Sequence, residues 1–170
     1  MVTGTGMKII VLSDTHGDLE TVQAVSAMPA DAIFHCGDSE LTLDAAVWKT
    51  MRTVKGNCDR ERQFPDQVVQ RVGNKQILVV HGHQHDCNRS LLPLYYEALE
   101  QKADIVLFGH THLYGAEMKD DILFLNPGSP VLPRRGKEPT YAIIEWEQDA
   151  TVSFVNPHNE LVDTLQIKNF

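Results

Sequence analysis

The hydrophobic positions of this chain fall in short, sharply ended runs. Lys8-Ile9-Ile10-Val11-Leu12 comes first and reads as a buried strand. Asp31-Ala32-Ile33-Phe34-His35-Cys36 reads as a second strand, and Arg52-Thr53-Val54-Lys55 as a third. Between the first two, Leu19, Val22, Val25 and Ala27 or Met28 recur at helical spacing. A helix is therefore predicted from Asp18 to about Met28, with acids in its first turn and Pro29 beyond its end. A second helical segment is predicted near Leu43 to Lys49. Strand and helix alternate, which implies a parallel sheet with helices on its face.

The second half changes character. Gln67 to Arg71 and Lys75 to Val80 flank Gly73-Asn74 and read as a hairpin. Ser90 to Gln101 carries Leu91, Leu94, Tyr95, Ala98 and Leu99 at helical spacing, with Pro93 in the first turn, where proline is tolerated. Asp104 to Phe108 is another buried strand. Short strands follow at Leu113 to Met118, Ile122 to Leu125, Tyr141 to Trp146 and Thr151 to Val155, and the tail from Thr140 to Phe170 reads as sheet completion. No linker or fixed-period repeat interrupts the pattern. The prediction is one α/β domain over residues 7–170, two sheets packed together with helices outside, preceded by a flexible extension over residues 1–6.

Composition narrows the function classes. A length of 170 residues supports one well-buried core, and 42% hydrophobic with 22% charged residues is ordinary for a soluble protein. No apolar run approaches the roughly 20 residues that span a bilayer, and Met1 to Met7 lacks the pattern of a secretory signal. Three cysteines, Cys36, Cys58 and Cys87, with no CxxC spacing, argue for a reducing, cytoplasmic home. Net charge is −8, and the basic residues cluster only at Arg134, Arg135 and Lys137, so an extended nucleic-acid surface is not expected. An anionic substrate remains compatible, because bound divalent metals would reverse the local sign.

The chemistry gathers where the apolar runs stop. Asp14-x-His16, Gly37-Asp38, Gly56-Asn57, His81-Gly82-His83 and Gly109-His110-Thr111-His112 each follow a hydrophobic run. In an extended chain residues i and i+2 point to the same side, so Asp14 and His16 are expected to converge, as are His81 and His83. In α/β sheets, sites form outside the carboxyl ends of strands. Asp14, His16, Asp38, Asn57, His81, His110 and His112 offer oxygen and nitrogen donors without a thiolate, which suits manganese, iron, nickel or zinc. Seven ligands exceed the needs of one metal; two divalent metals sharing one carboxylate account for them economically.

These motifs, in this order, resemble those of the calcineurin-like metallophosphoesterases: D-x-H, G-D, G-N, a later histidine and G-H-x-H. The short length, Gly56-Asn57-Cys58-Asp59 and Asn126-Pro127-Gly128-Ser129 look most like the small phosphodiesterase branch related to YfcE. The retromer subunit vacuolar protein sorting 29 is a eukaryotic relative of that branch. The resemblance implies a four-layer α/β/β/α sandwich and a metal-dependent phosphodiesterase acting on a small phosphodiester or phosphate ester. It implies Asp14, His16 and His112 on a first metal, Asn57, His81 and His110 on a second, and Asp38 bridging both. A hydroxide between the metals would be the nucleophile for in-line attack. Manganese is the foremost metal expectation, with zinc, nickel or iron as alternatives.

One position departs from the wider superfamily. Where many members carry a leaving-group histidine after the G-N asparagine, this chain has Cys58, a poorer acid, and His83 is the candidate to supply the proton instead. His35 is expected to be a satisfied core histidine, and His85, Asp86 and His158 to be solvated. The rival from another class is a non-catalytic scaffold like the retromer subunit, against which the full ligand set argues. The tail's end could equally serve a dimer contact, which leaves a homo-oligomer open.

Overall fold

In the computed structural model, which describes residues 6–170, the apolar runs pair into two sheets whose inner faces share one core. In chain order the elements are β1 (Met7–Leu12), α1 (Leu19–Ser26), β2 (Ala32–His35), a 3-10 turn (Ala46–Lys49), β3 (Arg52–Thr53), β4 (Gln67–Val72) and β5 (Lys75–Val80). A second 3-10 turn (His83–His85) leads to α2 (Leu92–Gln101), β6 (Ile105–Leu107), β7 (Gly115–Lys119), β8 (Ile122–Asn126), β9 (Tyr141–Trp146), β10 (Ala150–Val155) and β11 (Leu161–Ile167). Five of the six residues expected in the leading extension, 1–5, lie outside the described part of the chain.

The first sheet runs β11-β10-β9-β1-β2-β3 and the second β4-β5-β6-β8-β7. Strands β1, β2 and β3 are parallel to one another, as are β5, β6 and β8; the remaining pairs are antiparallel. Alternation along each central strand assigns its two faces. Ile9 and Val11 of β1 meet Ile77 and Val79 of β5, Ile105 and Leu107 of β6 and Leu123 and Leu125 of β8 between the sheets. Ile10 and Leu12 turn outward beneath Val22 and Val25 of α1. Leu78, Val106 and Phe124 turn outward beneath Leu94 and Ala98 of α2. The layers are thus α/β/β/α, as expected.

Two elements differ from the prediction. The helix expected from Leu43 to Lys49 is only the turn Ala46–Lys49, because Thr42 Oγ1 donates to Asp44 Oδ1 and the Leu43 N–H donates to Glu61 instead of building a helical ladder. Strand β11 carries Asp163, Thr164 and Gln166 at an edge, so its apolar alternation is weak; only Leu165 and Ile167 reach the core. The hairpin turn at Gly73-Asn74 has the expected register, Val72 facing Lys75. Asn74 also accepts a 3.0 Å hydrogen bond from the Trp146 indole of the other sheet.

Six parallel strands, three per sheet, therefore point their carboxyl ends to one edge of the molecule. Everything chemically distinctive about the sequence follows those six strands.

Candidate metal centre

The loops leaving β1, β2, β3, β5 and β6 bring the seven candidate ligands together. Asp14 and His16 follow β1, Asp38 follows β2 and Asn57 follows β3, while His81 comes from β5 and His110 and His112 from β6. Five of the seven, Asp14, His16, Asp38, His110 and His112, have φ between 43° and 73°. Left-handed backbone at a non-glycine residue costs of order 1–3 kcal/mol and persists where its surroundings impose it. Asp14 and His16 thus converge, but not by the extended i, i+2 geometry expected. Each side chain is aimed by a left-handed kink, and His16 Nε2 stands 3.9 Å from Asp14 Oδ1. Likewise His83 does not continue a strand: Gly82 at φ 107° turns the chain, and the His83 ring settles 5.3 Å from that of His81.

Three histidines are set in one way. His81 Nδ1 lies 2.8 Å from the Cys36 carbonyl, His112 Nδ1 2.6 Å from the Leu132 carbonyl and His16 Nδ1 2.6 Å from Glu40 Oε1. Those oxygens only accept, so each Nδ1 carries a hydrogen and each Nε2, in the neutral ring, offers a lone pair. The lone pairs converge. His16 Nε2 and His112 Nε2 are 3.3 Å apart, and Asp14 Oδ1 is 3.4 Å from His112 Nε2 and 3.7 Å from His81 Nε2. His81 Nε2 is 3.2 Å from Asp38 Oδ2 and 3.1 Å from Asn57 Oδ1. The His110 ring stands 5.1 Å from that of His81.

The carboxylates are prepared in the same sense. Asp14 Oδ2 accepts from Ser13 Oγ and from the His110 N–H, and Asp38 Oδ1 accepts from the Cys58 N–H. Asp14 Oδ1 is buried with no hydrogen-bond partner. Acceptors facing acceptors, one of them an orphaned carboxylate oxygen in a fully buried residue, are costly unless a cation sits among them. The donor set fits a divalent metal with imidazole and carboxylate ligands, three of the four histidines being oriented from behind. Asp14, His16 and His112 form one trio of ligand atoms within 4.8 Å, and Asp14, Asp38 and His81 form another; Asp38 also lies within that distance of His16 and Cys58.

The titration behaviour follows from this crowding. Burial pushes the Asp38 carboxyl up, but the His81 ring and the Cys58 N–H outweigh it and bring it down to about 2. Burial likewise opposes ionisation of Asp14, and the close approach of the His112 ring and the charge of His81 overcome that, leaving it below the usual range. Burial alone would lower His81, yet Asp38 and Asp14 hold it above the ordinary histidine value. Burial and the neighbouring His81 hold His110 and His83 low. Partial burial and the charge of Asp38 push the Cys58 thiol up to about 11.

Several contributors carried no motif of their own. Buried Asp59 accepts from the N–H groups of Asp38 (2.9 Å), Glu40 (2.8 Å) and Gly56 (2.7 Å), tying the β2 and β3 loops together. Its place in Gly56-Asn57-Cys58-Asp59 was the only sequence signal. Ser129 Oγ donates to the Asp14 carbonyl, which brings the Asn126 to Ser129 turn against the site. His35 is the expected core histidine: Nδ1 accepts from the Gly37 N–H, so the neutral ring donates from Nε2 to Thr15 Oγ1, and burial lowers it to about 4. His85, expected to be solvated, is instead half-buried 3.9 Å from Glu97.

A donor cluster of this kind, at the shared carboxyl edge of two mixed sheets, defines an α/β metalloprotein. Comparison with known proteins makes the class specific. The chain belongs to the calcineurin-like phosphoesterase superfamily, whose domain description matches residues 7–149. It is 39% identical over 164 residues to a probable metallophosphoesterase, YsnB, of Bacillus subtilis, covering 94% of this chain and 97% of the relative. To the phosphodiesterase YfcE of Escherichia coli it is 28% identical over 170 residues, covering 82% and 88%. A crystal structure of a predicted phosphoesterase from Streptococcus pneumoniae superposes with a TM-score of 0.92 at 37% identity, over 95% of this chain and 97% of that one. Vps29 of Entamoeba histolytica, solved with Zn2+, shares the fold at a TM-score of 0.74 and 20% identity, over 96% and 100%. By family the protein is a metallophosphoesterase, a hydrolase.

Proposed function

We propose that the protein is a binuclear metal-dependent phosphodiesterase acting on a small phosphodiester. The observation that carries this is the convergence of three histidine Nε2 lone pairs on two carboxylate oxygens, one of them unpartnered. Asp14, His16 and His112 would hold one divalent cation; Asn57, His81 and His110 would hold the other, with Asp38 between them. Manganese is the foremost choice, and zinc, nickel and iron suit the same donors. Bound there, such cations supply Lewis acidity that activates water near neutral pH and draws charge from the phosphoryl oxygens.

The chain's own residues do the rest. Asn57 Oδ1 and His81 Nε2 stand 3.1 Å apart, where both would face one cation, and buried Asp14 and Asp38 make the adjoining wall polar. Cys58 stands at the exposed rim and keeps its proton at neutral pH, so it can donate to an alkoxide leaving group more basic than itself. His83, held neutral beside His81 and His110, is a weaker candidate for that proton. The three cysteines are all free, two of them buried, in keeping with a reducing, cytoplasmic setting. No helix among the described residues is long and apolar enough to cross a membrane.

The test is hydrolysis of bis-p-nitrophenyl phosphate by the manganese-loaded protein. Chelation should abolish turnover, manganese should restore it, and Asp38→Asn should eliminate it; turnover untouched by either would refute the site. The likeness to Vps29 keeps a scaffold in view. Bound metal without turnover on any ester, together with a stable protein partner, would favour it.

A further inference from the structure

The densest basic cluster in a chain of net charge −8 is Arg134, Arg135 and Lys137, and no step of the proposed reaction uses them. The fold places them beside the metal centre. Their loop is anchored at its base by two bonds between β8 and β9: the Thr140 N–H donates to the Ser129 carbonyl and Thr140 Oγ1 to the Pro127 carbonyl. From this base Ser129 reaches the backbone of Asp14, and Leu132 gives its carbonyl to His112 Nδ1. Arg134 follows two residues after Leu132, at the start of the turn. The Lys137 N–H returns to the Arg134 carbonyl at 3.1 Å, and Arg135 and Gly136 both have positive φ, 55° and 71°. That is a tight turn of mirror-image type I geometry, which glycine at its second corner permits.

The turn presents charge outward. Arg134, Arg135 and Lys137 are exposed, and among the described residues neither guanidinium pairs with a carboxylate. Lys137 lies over the Tyr114 ring at 4.1 Å, which steadies that side of the turn. Two neighbouring guanidiniums repel each other, and forked donors of this kind match phosphate oxygens.

We infer that the turn Arg134–Lys137 is a recognition element for a second phosphate, carried on the organic arm of the diester whose scissile phosphate occupies the metal centre. The inference rests on the phosphodiesterase reading. The substrate class is then a phosphodiester with an additional anionic phosphate, and the turn selects it over a singly charged diester. One turn with two guanidiniums grips one such group; it does not track a nucleic-acid strand.

The test compares thymidine 5′-(p-nitrophenyl phosphate) with and without a 3′-phosphate, using the manganese-loaded full chain. The expected wild-type preference in kcat/KM for the doubly phosphorylated ester is about tenfold or more, set by charge-assisted contacts and weakened by added salt. In Arg134→Ala/Arg135→Ala the preference should fall toward one; in Arg134→Lys/Arg135→Lys much of it should return. Because each value is a ratio on one protein, general damage to the site cancels. Binding of thymidine 3′,5′-bisphosphate to the chelator-treated protein, measured by calorimetry, should weaken in the same order. A wild-type ratio near one, or a ratio unchanged in the alanine variant, overturns the inference while leaving the phosphodiesterase intact. Failure of the wild type to hydrolyse even bis-p-nitrophenyl phosphate overturns both.

Discussion

Asp59 offers the most direct check on how the site is held. It touches neither the converging lone pairs nor the open side of the site, yet its two oxygens take three backbone N–H donors from two different loops. Hydrogen bonds to a charged group contribute about 1.5–3 kcal/mol each, and such contributions do not add in full. Asp59→Ala removes all three acceptors at a buried position, so the expected loss is about 4 kcal/mol. Asp59→Asn can keep its oxygen where Oδ2 accepts from both Asp38 and Gly56, and sets an N–H2 against Glu40 alone; about 1.5 kcal/mol is expected. For a chain of 170 residues each kcal/mol moves the melting midpoint by about 2–4 °C. Alanine should therefore lower Tm by about 8–16 °C and asparagine by about 3–6 °C. The assay is thermal unfolding followed by circular dichroism in excess chelator, which separates the brace from any metal effect. Equal losses in the two variants, or an alanine variant melting within about 2 °C of wild type, would refute the brace.

Further outcomes follow from the same geometry. A Cβ on Gly56 would fall on the Asp38 carboxylate and its backbone N, so Gly56→Ala should retain the fold by circular dichroism while losing manganese binding in calorimetry. His35 is held neutral with its pKa lowered from 6.5 to about 4, so its contribution is complete above pH 6.5 and fades as pH falls toward 4. Urea unfolding of the metal-free protein should lose about 3 kcal/mol over that window, and His35→Gln should lack that part of the loss. His81 is raised by Asp38 and Asp14, so a proton occupies part of the place a cation would take. Manganese affinity should therefore fall as pH drops below the His81 pKa, with proton release visible when calorimetry is repeated in buffers of different ionisation enthalpy.

What could be read from the sequence, and what could not, divides along physical lines. The runs Ile9 to Leu12, Ile77 to Val80 and Ile105 to Leu107 are apolar on both faces because each lies between two layers, so their strand character and the polar breaks after them were plain. The hairpin at Gly73-Asn74 was plain because two residues of turn chemistry fix its register. The aim of the side chains was not. Asp14 and His16 share a spacing that fits strand alternation, but tertiary hydrogen bonds from their N–H groups to the Gly37 and Asp38 carbonyls hold the backbone left-handed instead. Glu40, Asp59, Ser129 and Leu132 act through loop conformation and backbone groups, which no residue-type pattern announces. The residue pattern does not set β11 apart from the rest of the tail, because an edge strand has only half a core to satisfy.

Metal content tests the account at its centre. The full chain, purified with and without supplementary manganese, would be assayed by elemental analysis, then stripped with chelator and titrated while bis-p-nitrophenyl phosphate hydrolysis is followed. The site geometry predicts about two divalent cations per chain, loss of turnover on stripping, and recovery that saturates with the second equivalent. A chain that binds no divalent cation under any of these conditions would contradict the reading of Asp14, His16, Asp38, Asn57, His81, His110 and His112 as a metal centre.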